Sequence, residues 1–389
     1  MSVTAPAGFV AAGAAVGIKP TGHPDLALVA TASGRAVEAA AVFTANRSAA
    51  APVEISRAHL ETTGGRAAGV LLTSGNANAA TGDAGRAAAA ELCALAASGI
   101  GVPTEEVLIC QTGLIGVPFP IATVRPTVGG VVRTLAGGAD AARAAATAIM
   151  TTDTARKEVL VDGGGFLVGG MAKGAAMLAP DMATMLAVLT TDAGCEAGLL
   201  RRLLAEAVGE TFNRLSVDGC TSTNDTVIVL ASGARPAVPP AALGRSLAEA
   251  CRSLAEQMAE DAEGATKVVR FGVVGARSDD EAHRAARKVA DSLLVKCSLN
   301  GEDPYWGRVV SEVASAGVGF ELDRVAVAYG GVEVCGHGEA VEHDEAAVAR
   351  HLAGRHLELT VDLGLGTGRA VVLGTDLGYG YIDENRTTS

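Results

Sequence analysis

One stretch in the middle of the chain, Met171 to Asp192, has residue types and spacing that suggest chemistry. It reads MAKGAAMLAPDMATMLAVLTTD. Lys173 sits in a run of Gly, Ala and Met, and Pro180 halts any helix. Ala183-Thr184 then opens a strand-like run from Met185 to Leu189. A small residue followed by a hydroxyl at the mouth of a strand is the layout of a chain that cuts itself. Cleavage between Ala183 and Thr184 would free an α-amine on the residue that carries the hydroxyl. One residue would then supply both nucleophile and base. Taken alone, a threonine before an apolar run is an ordinary strand start, so the weight rests on the rest of the chain.

Four other segments hold groups that such chemistry could use. In Gln111-Thr112-Gly113-Leu114-Ile115-Gly116, Gly113 lets a backbone N–H point outward at a strand end and Thr112 adds a hydroxyl. Two such donors can hold a developing oxyanion. The same residues also read as a plain strand-to-loop turn, which is the preferred reading on the residues alone. Thr151-Thr152-Asp153 follows a predicted helix and is either a carboxylate-binding hydroxyl pair or a polar turn. Asp261-Ala262-Glu263-Gly264 places two carboxylates at a helix end, fit for an amine or for solvent. The tail, Asp383 to Ser389, is polar, and such tails usually fray. Lys173 either snorkels to water or pairs with an anion, and in a pocket it suits a substrate carboxylate.

Composition narrows the class. Hydrophobic residues make up 49% but aromatics only 3%, so Ala, Val, Leu and Ile must build the core. The net charge of −12 comes without a basic tract, so no nucleic-acid partner is expected. No uninterrupted apolar run is long enough for a membrane span, and the start lacks the basic region of a secretory signal. A cytoplasmic location is expected. The seven cysteines form no C-x-x-C pair, which fits small buried thiols in a reducing compartment. No metal site is expected, because His337, His343, His351 and His356 have no closed zinc spacing. GLGTG at Gly364 to Gly368 precedes a strand, not a helix, so it fails as a dinucleotide fingerprint.

The elements that must position these residues alternate between helix and strand. Ala68 to Ser74 reads as a buried strand, Gly85 to Ser98 as a helix, and Val107 to Cys110 as a strand ending at the QTG turn. Ala139 to Met150 reads as a helix. Glu158 to Val161 and Phe166 to Val168 form a predicted hairpin. Glu196 to Leu215 reads as an amphipathic helix, Val227 to Leu230 as a strand and Leu247 to Asp261 as a helix. From about residue 268 the pattern becomes α+β: a strand VVRFGVVG, a helix Asp279 to Leu294, strands at Arg324 to Tyr329 and Val332 to Cys335, a helix Asp344 to Leu352, and strands at Leu357 to Val361 and Ala370 to Leu373. This suggests a body over 1–275 and a smaller domain over 276–389.

Several strings taken in order resemble the ornithine acetyltransferase family, the glutamate N-acetyltransferases of arginine biosynthesis. They are LTSGNANAATG (Leu72 to Gly82), QTGLIG (Gln111 to Gly116), AIMTTDT (Ala148 to Thr154) and GGMAKGAAMLAPDMATMLAVLTTDA (Gly169 to Ala193). DGCTSTNDT (Asp218 to Thr226), DAEGATK (Asp261 to Lys267), SLLVKCSLNGEDPYWGR (Ser292 to Arg308) and YIDENRTTS (Tyr381 to Ser389) continue the likeness. Gln111 stands where the family usually has Ser, Tyr305 where Asn is common, and the tail is one residue shorter than in many relatives.

The resemblance implies an αββα sandwich like that of the N-terminal-nucleophile hydrolases with different connectivity, plus a smaller C-terminal α+β domain. It also implies self-cleavage into chains 1–183 and 184–389, two of each assembling. Carried over, Thr184 is the nucleophile and Thr112 and Gly113 are the oxyanion pair. Thr151, Lys173, Thr184, Glu263, Asn385 and Ser389 (or Thr388 in its place) bind substrate. The implied reaction moves acetyl from N-acetylornithine to glutamate through an acetyl-threonine, without a cofactor, and acetyl-CoA is a candidate second donor. The alternatives are a self-processing aminopeptidase or amidase of the same fold, or a silent binding relative.

Overall fold

The computed structural model describes residues 2–178 and 185–386. Ala183, Thr184, Thr388 and Ser389 lie outside the described residues. The chain divides into two compact units, one of 1–213 with 220–258, the other of 214–219 with the chain from 259 onward.

The strands of the first unit are β1 (Phe9–Ala14), β2 (Leu26–Thr31), β3 (Val37–Phe43), β4 (Arg66–Ala67), β5 (Gly69–Asn76), β6 (Val107–Leu114), β7 (Lys157–Asp162), β8 (Leu167–Lys173) and β9 (Leu186–Thr191). After β10 (Leu215–Ser216), which belongs to the second unit, β11 (Thr226–Ala231) completes them. They form two sheets. One is four-stranded in the order β1-β2-β5-β6, the other six-stranded in the order β4-β3-β11-β9-β8-β7. The pairs β5–β6 and β9–β11 are parallel and the rest antiparallel.

Alternation along the central strands explains the layering. On β5, Val70 and Leu72 join the core shared with Met171, Leu186, Val188 and Ile228 of the other sheet. Leu71 instead joins Leu92, Cys93 and Ala96 of the helix Gly82–Ile100. On β6, Leu108 and Cys110 face the first core and Ile109 the second. The helix Ala197–Glu210 packs on β3. Leu254, from the helix Pro240–Glu260, lies over Gly170 of β8. The order helix, sheet, sheet, helix is the αββα sandwich expected.

The second unit is built on a seven-stranded sheet. With β10 it contains β12 (Val268–Ala276), β13 (Ala326–Tyr329), β14 (Val332–Gly336), β15 (Glu339–Ala340), β16 (His356–Asp362) and β17 (Gly368–Thr375), in the order β10-β17-β12-β16-β13-β14-β15. The helix Asp279–Ala290 packs on β12 and β17. The single helix predicted from Asp279 to Leu294 is two helices. Ser292 Oγ accepts the Val295 N–H and starts a new one, Leu293–Asn300. The helix predicted to begin at Leu247 begins at Pro240, where the fixed φ of proline suits a first turn. Among the cysteines, Cys93, Cys110, Cys251 and Cys335 are buried, whereas Cys195 is half-buried and Cys220 and Cys297 are exposed. Burial of thiols therefore holds for four of the seven.

Candidate active site

The two sheets of the first unit bring a set of polar residues together at one end of β6 and β8. The strand β6 does not stop at Cys110; it runs through Gln111-Thr112-Gly113, pairing Ser74 with Thr112 and Gly75 with Gly113. The predicted turn is therefore strand. What holds it is Gln111, fully buried, whose Nε2 donates to Thr73 Oγ1 at 3.1 Å while Oε1 accepts from Asn78 Nδ2 at 2.8 Å. Gly113 has φ +129°, and a Cβ there would lie 2.3 Å from the carbonyl carbon of Gly75. Only glycine fits, and the backbone of the two strands meets at this point.

Lys173 ends β8 with only 3% of its surface exposed. It does not snorkel. Its Nζ donates to Thr112 Oγ1 at 3.3 Å, across from one sheet to the other. Thr151 reaches the same region through Asp153. The Thr151 N–H donates to Asp153 Oδ2 at 3.0 Å, and the N–H of Gly174, next to Lys173, donates to Asp153 Oδ1 at 2.8 Å. The helix Ala139–Ala148 that leads there is tied to β5, because Ser74 Oγ donates to the carbonyl of Ala148 at 2.6 Å. Lys173 thus meets Thr112 directly, and Thr151 reaches the same lysine through Asp153 and Gly174, the residue after it.

Charged groups are paired inside this region. Asp153 and Lys157 form an ion pair of 2.6 Å with side chains 0% and 1% exposed. Burial pushes the Asp153 carboxyl up, but Lys173 and Lys157 outweigh it and hold the group at about 2. Burial lowers Lys19, with Lys173 adding repulsion against the attraction of Asp25 and Asp153. Lys19 Nζ donates to the carbonyls of Pro24 and Met150 at 2.8 and 2.7 Å. Lys19, Lys157 and the carboxyl of Asp225 are members that sequence reasoning did not single out.

Asn224 and Asp225, at the entry to β11, complete the arrangement. Asn224 Nδ2 donates to the carbonyls of Ala77 and Gln111 at 2.6 and 2.9 Å, fixing the residue before Thr112. Asp225 Oδ1 accepts the N–H of Met185, the residue directly after Thr184, at 2.9 Å. The pair lies within the DGCTSTNDT string, but nothing in the sequence singles out these two residues. A separate cleft of about 490 Å³ over Ala39, Phe43, Arg57, Glu61 and Arg201 contains none of these residues.

Glu263 and Asn385 belong to the second unit, where Asn385 Nδ2 donates to Glu263 Oε2 at 2.8 Å. A helix, Tyr379–Glu384, precedes Asn385, and its backbone lies directly on Gly264, where a Cβ would come within 2.0 Å of the Tyr381 nitrogen. Among the described residues no group of three or more His, Cys, Asp or Glu gathers as a metal site. None of the described helices is long and apolar enough to cross a membrane.

Fold and site together define a mixed α/β protein with a buried polar centre, holding an ion pair, where two sheets meet. The ArgJ family model matches residues 10–387, and the chain belongs to that family. It is 47% identical over 395 residues to the arginine biosynthesis bifunctional protein ArgJ of Mycobacterium tuberculosis, covering 100% of this chain and 96% of that protein. It is 45% identical over 390 residues to the protein of the same name from Thermobifida fusca, covering all of both. It is also similar to the solved structure of ornithine acetyltransferase from Mycobacterium tuberculosis, in complex with ornithine, at 43% identity and a TM-score of 0.42. That match covers 46% of this chain and 94% of the solved chain.

Proposed function

We propose that this protein is an acetyltransferase of arginine biosynthesis that moves acetyl from N-acetylornithine to glutamate. The observation that carries the reading is the junction of Lys173 with Thr112 and Gly113 beside the strand that begins after Thr184. The names of the full-length relatives support the pathway.

In this reading the chain cuts itself between Ala183 and Thr184. The Thr184 hydroxyl then attacks the N-acetyl carbonyl, and the freed α-amine of the same residue takes the proton. Thr112 Oγ1–H and the Gly113 N–H donate to the oxyanion; each well-placed donor contributes about 3 kcal/mol in the transition state. Collapse of the tetrahedral intermediate expels ornithine, which leaves with the proton, and the acetyl stays on Thr184. Glutamate enters and its amine attacks the ester, so that N-acetylglutamate departs and the hydroxyl is restored. Lys173 holds the α-carboxylate common to donor and acceptor, with Thr151 beside it. Glu263, Asn385 and Ser389 serve the amino end and tail of the substrate. Two copies of each cleaved chain assemble in the cytoplasm. Acetyl-CoA is the candidate second acetyl donor.

Incubation with N-acetylornithine and glutamate tests the reading. Ornithine and N-acetylglutamate should appear in equal amounts with parallel double-reciprocal plots. Release of free acetate without N-acetylglutamate would assign the protein to the amidases instead.

A further inference from the structure

Asp225 is the buried carboxyl that the reaction just described leaves unused. It is fully buried at the start of β11. One oxygen, Oδ1, is taken by the N–H of Met185. The other, Oδ2, is buried and has no hydrogen bond of good geometry among the described residues. A buried carboxylate oxygen with no donor is costly, whereas the neutral acid carries a proton to donate.

The surroundings of the group favour that neutral form. Burial drives the carboxyl far above the usual aspartate range, outweighing the Met185 N–H, the Ser222 hydroxyl and the charge of Lys173, which all favour ionisation. Asp153, near the same lysine, is held ionised by its pairing with Lys157. One region therefore holds two aspartates whose surroundings push their carboxyls in opposite directions. Environments that push two carboxyls apart in this way mark distinct chemical roles. The neighbouring residue fixes the other half of the site, since Asn224 holds the carbonyl of Gln111 next to Thr112. The dipeptide thus spans the oxyanion strand and the strand that follows the nucleophile.

We propose that Asp225 is a positioning residue for the reaction. It anchors the first backbone N–H after the nucleophile through Oδ1 and acts on the reaction only through that anchor. The inference rests on the reading of Thr184 as nucleophile.

The test compares full-length wild type with Asp225→Ala and Asp225→Asn. Denaturing intact mass reads cleavage, acetyl-transfer kinetics are followed from about pH 6 to about pH 9, and a thermal melt checks folding. Asparagine keeps one acceptor and one donor without a charge. Asp225→Ala should lower kcat by about 100-fold with KM for N-acetylornithine nearly unchanged. Asp225→Asn should restore kcat to within about fivefold of wild type with the wild-type pH profile. Should Asp225→Ala fail to fold, Asp225→Ser, too short to reach Met185, takes its place. Wild-type kcat in the truncated variant overturns the proposal. So does an asparagine variant as impaired as alanine, because the charge would then be needed. Wild type that is neither cut nor active would instead sink the nucleophile reading itself, a separate result.

Discussion

Replacing Asp153 by asparagine isolates the electrostatics of the centre. The side chain accepts from Lys157, Gly174 and Thr151 and is wholly buried with Lys157. Asparagine has nearly the same shape but leaves the Lys157 ammonium inside the protein without its carboxylate. Breaking a buried pair from one side costs about 3 to 5 kcal/mol, and that is the destabilisation expected at neutral pH. Part of it should depend on pH. The wild-type carboxyl titrates at about 2 in the folded protein and at about 3.9 when unfolded. Because the folded value is the lower one, the stabilisation is complete above the unfolded value and disappears as pH falls through the folded one. It amounts to about 2 kcal/mol. Urea unfolding followed by circular dichroism, on wild type and Asp153→Asn in parallel, gives the difference directly. It should be largest at neutral pH and shrink by about 2 kcal/mol between about pH 5 and about pH 2. A difference that is flat across that interval, or below about 1 kcal/mol at neutral pH, would show that the two groups are not paired as described.

Two further substitutions probe the site. Gly113→Ala forces a Cβ into the backbone of Gly75 and Asn76, so the strands must part. Steady-state kinetics should show kcat down by about 100-fold or more, one oxyanion donor's worth; turnover within about threefold of wild type would remove Gly113 from that role. Lys173→Met should raise KM for both N-acetylornithine and glutamate by about 10- to 100-fold, as expected for a lost charge-assisted bond. A fall in kcat with KM unmoved would place the lysine in the chemistry instead of carboxylate binding.

Legibility in the sequence followed side-chain contrast. The run Leu71-Leu72-Thr73-Ser74 and the strand from Val268 stood out because branched residues contrast with their flanks. β1 (FVAAGA) and β3 (VEAAAVF) did not, since alanine suits helix and strand alike and blurs the period. Gln111-Thr112-Gly113 looked like a turn because glycine and polar residues usually end strands. In the fold, Thr73 and Asn78 satisfy the buried Gln111 and the strand continues. Residue types alone raise Thr112, Gly113, Thr151 and Lys173 only as candidates beside plainer readings, and the family likeness is what gives them roles. Asn224 and Asp225 sit in a quoted string yet gain no role from it, because their partners, Gln111 and Met185, are 113 and 40 residues away. No local pattern encodes such contacts.

The central claim is that Thr184 becomes the N-terminal nucleophile of a cleaved chain. Denaturing intact mass spectrometry of the purified protein tests it most directly. The account predicts two polypeptides, 1–183 and 184–389, with the second gaining one acetyl group after brief exposure to N-acetylornithine. A single uncut chain of 38.8 kDa that takes up no acetyl would contradict it.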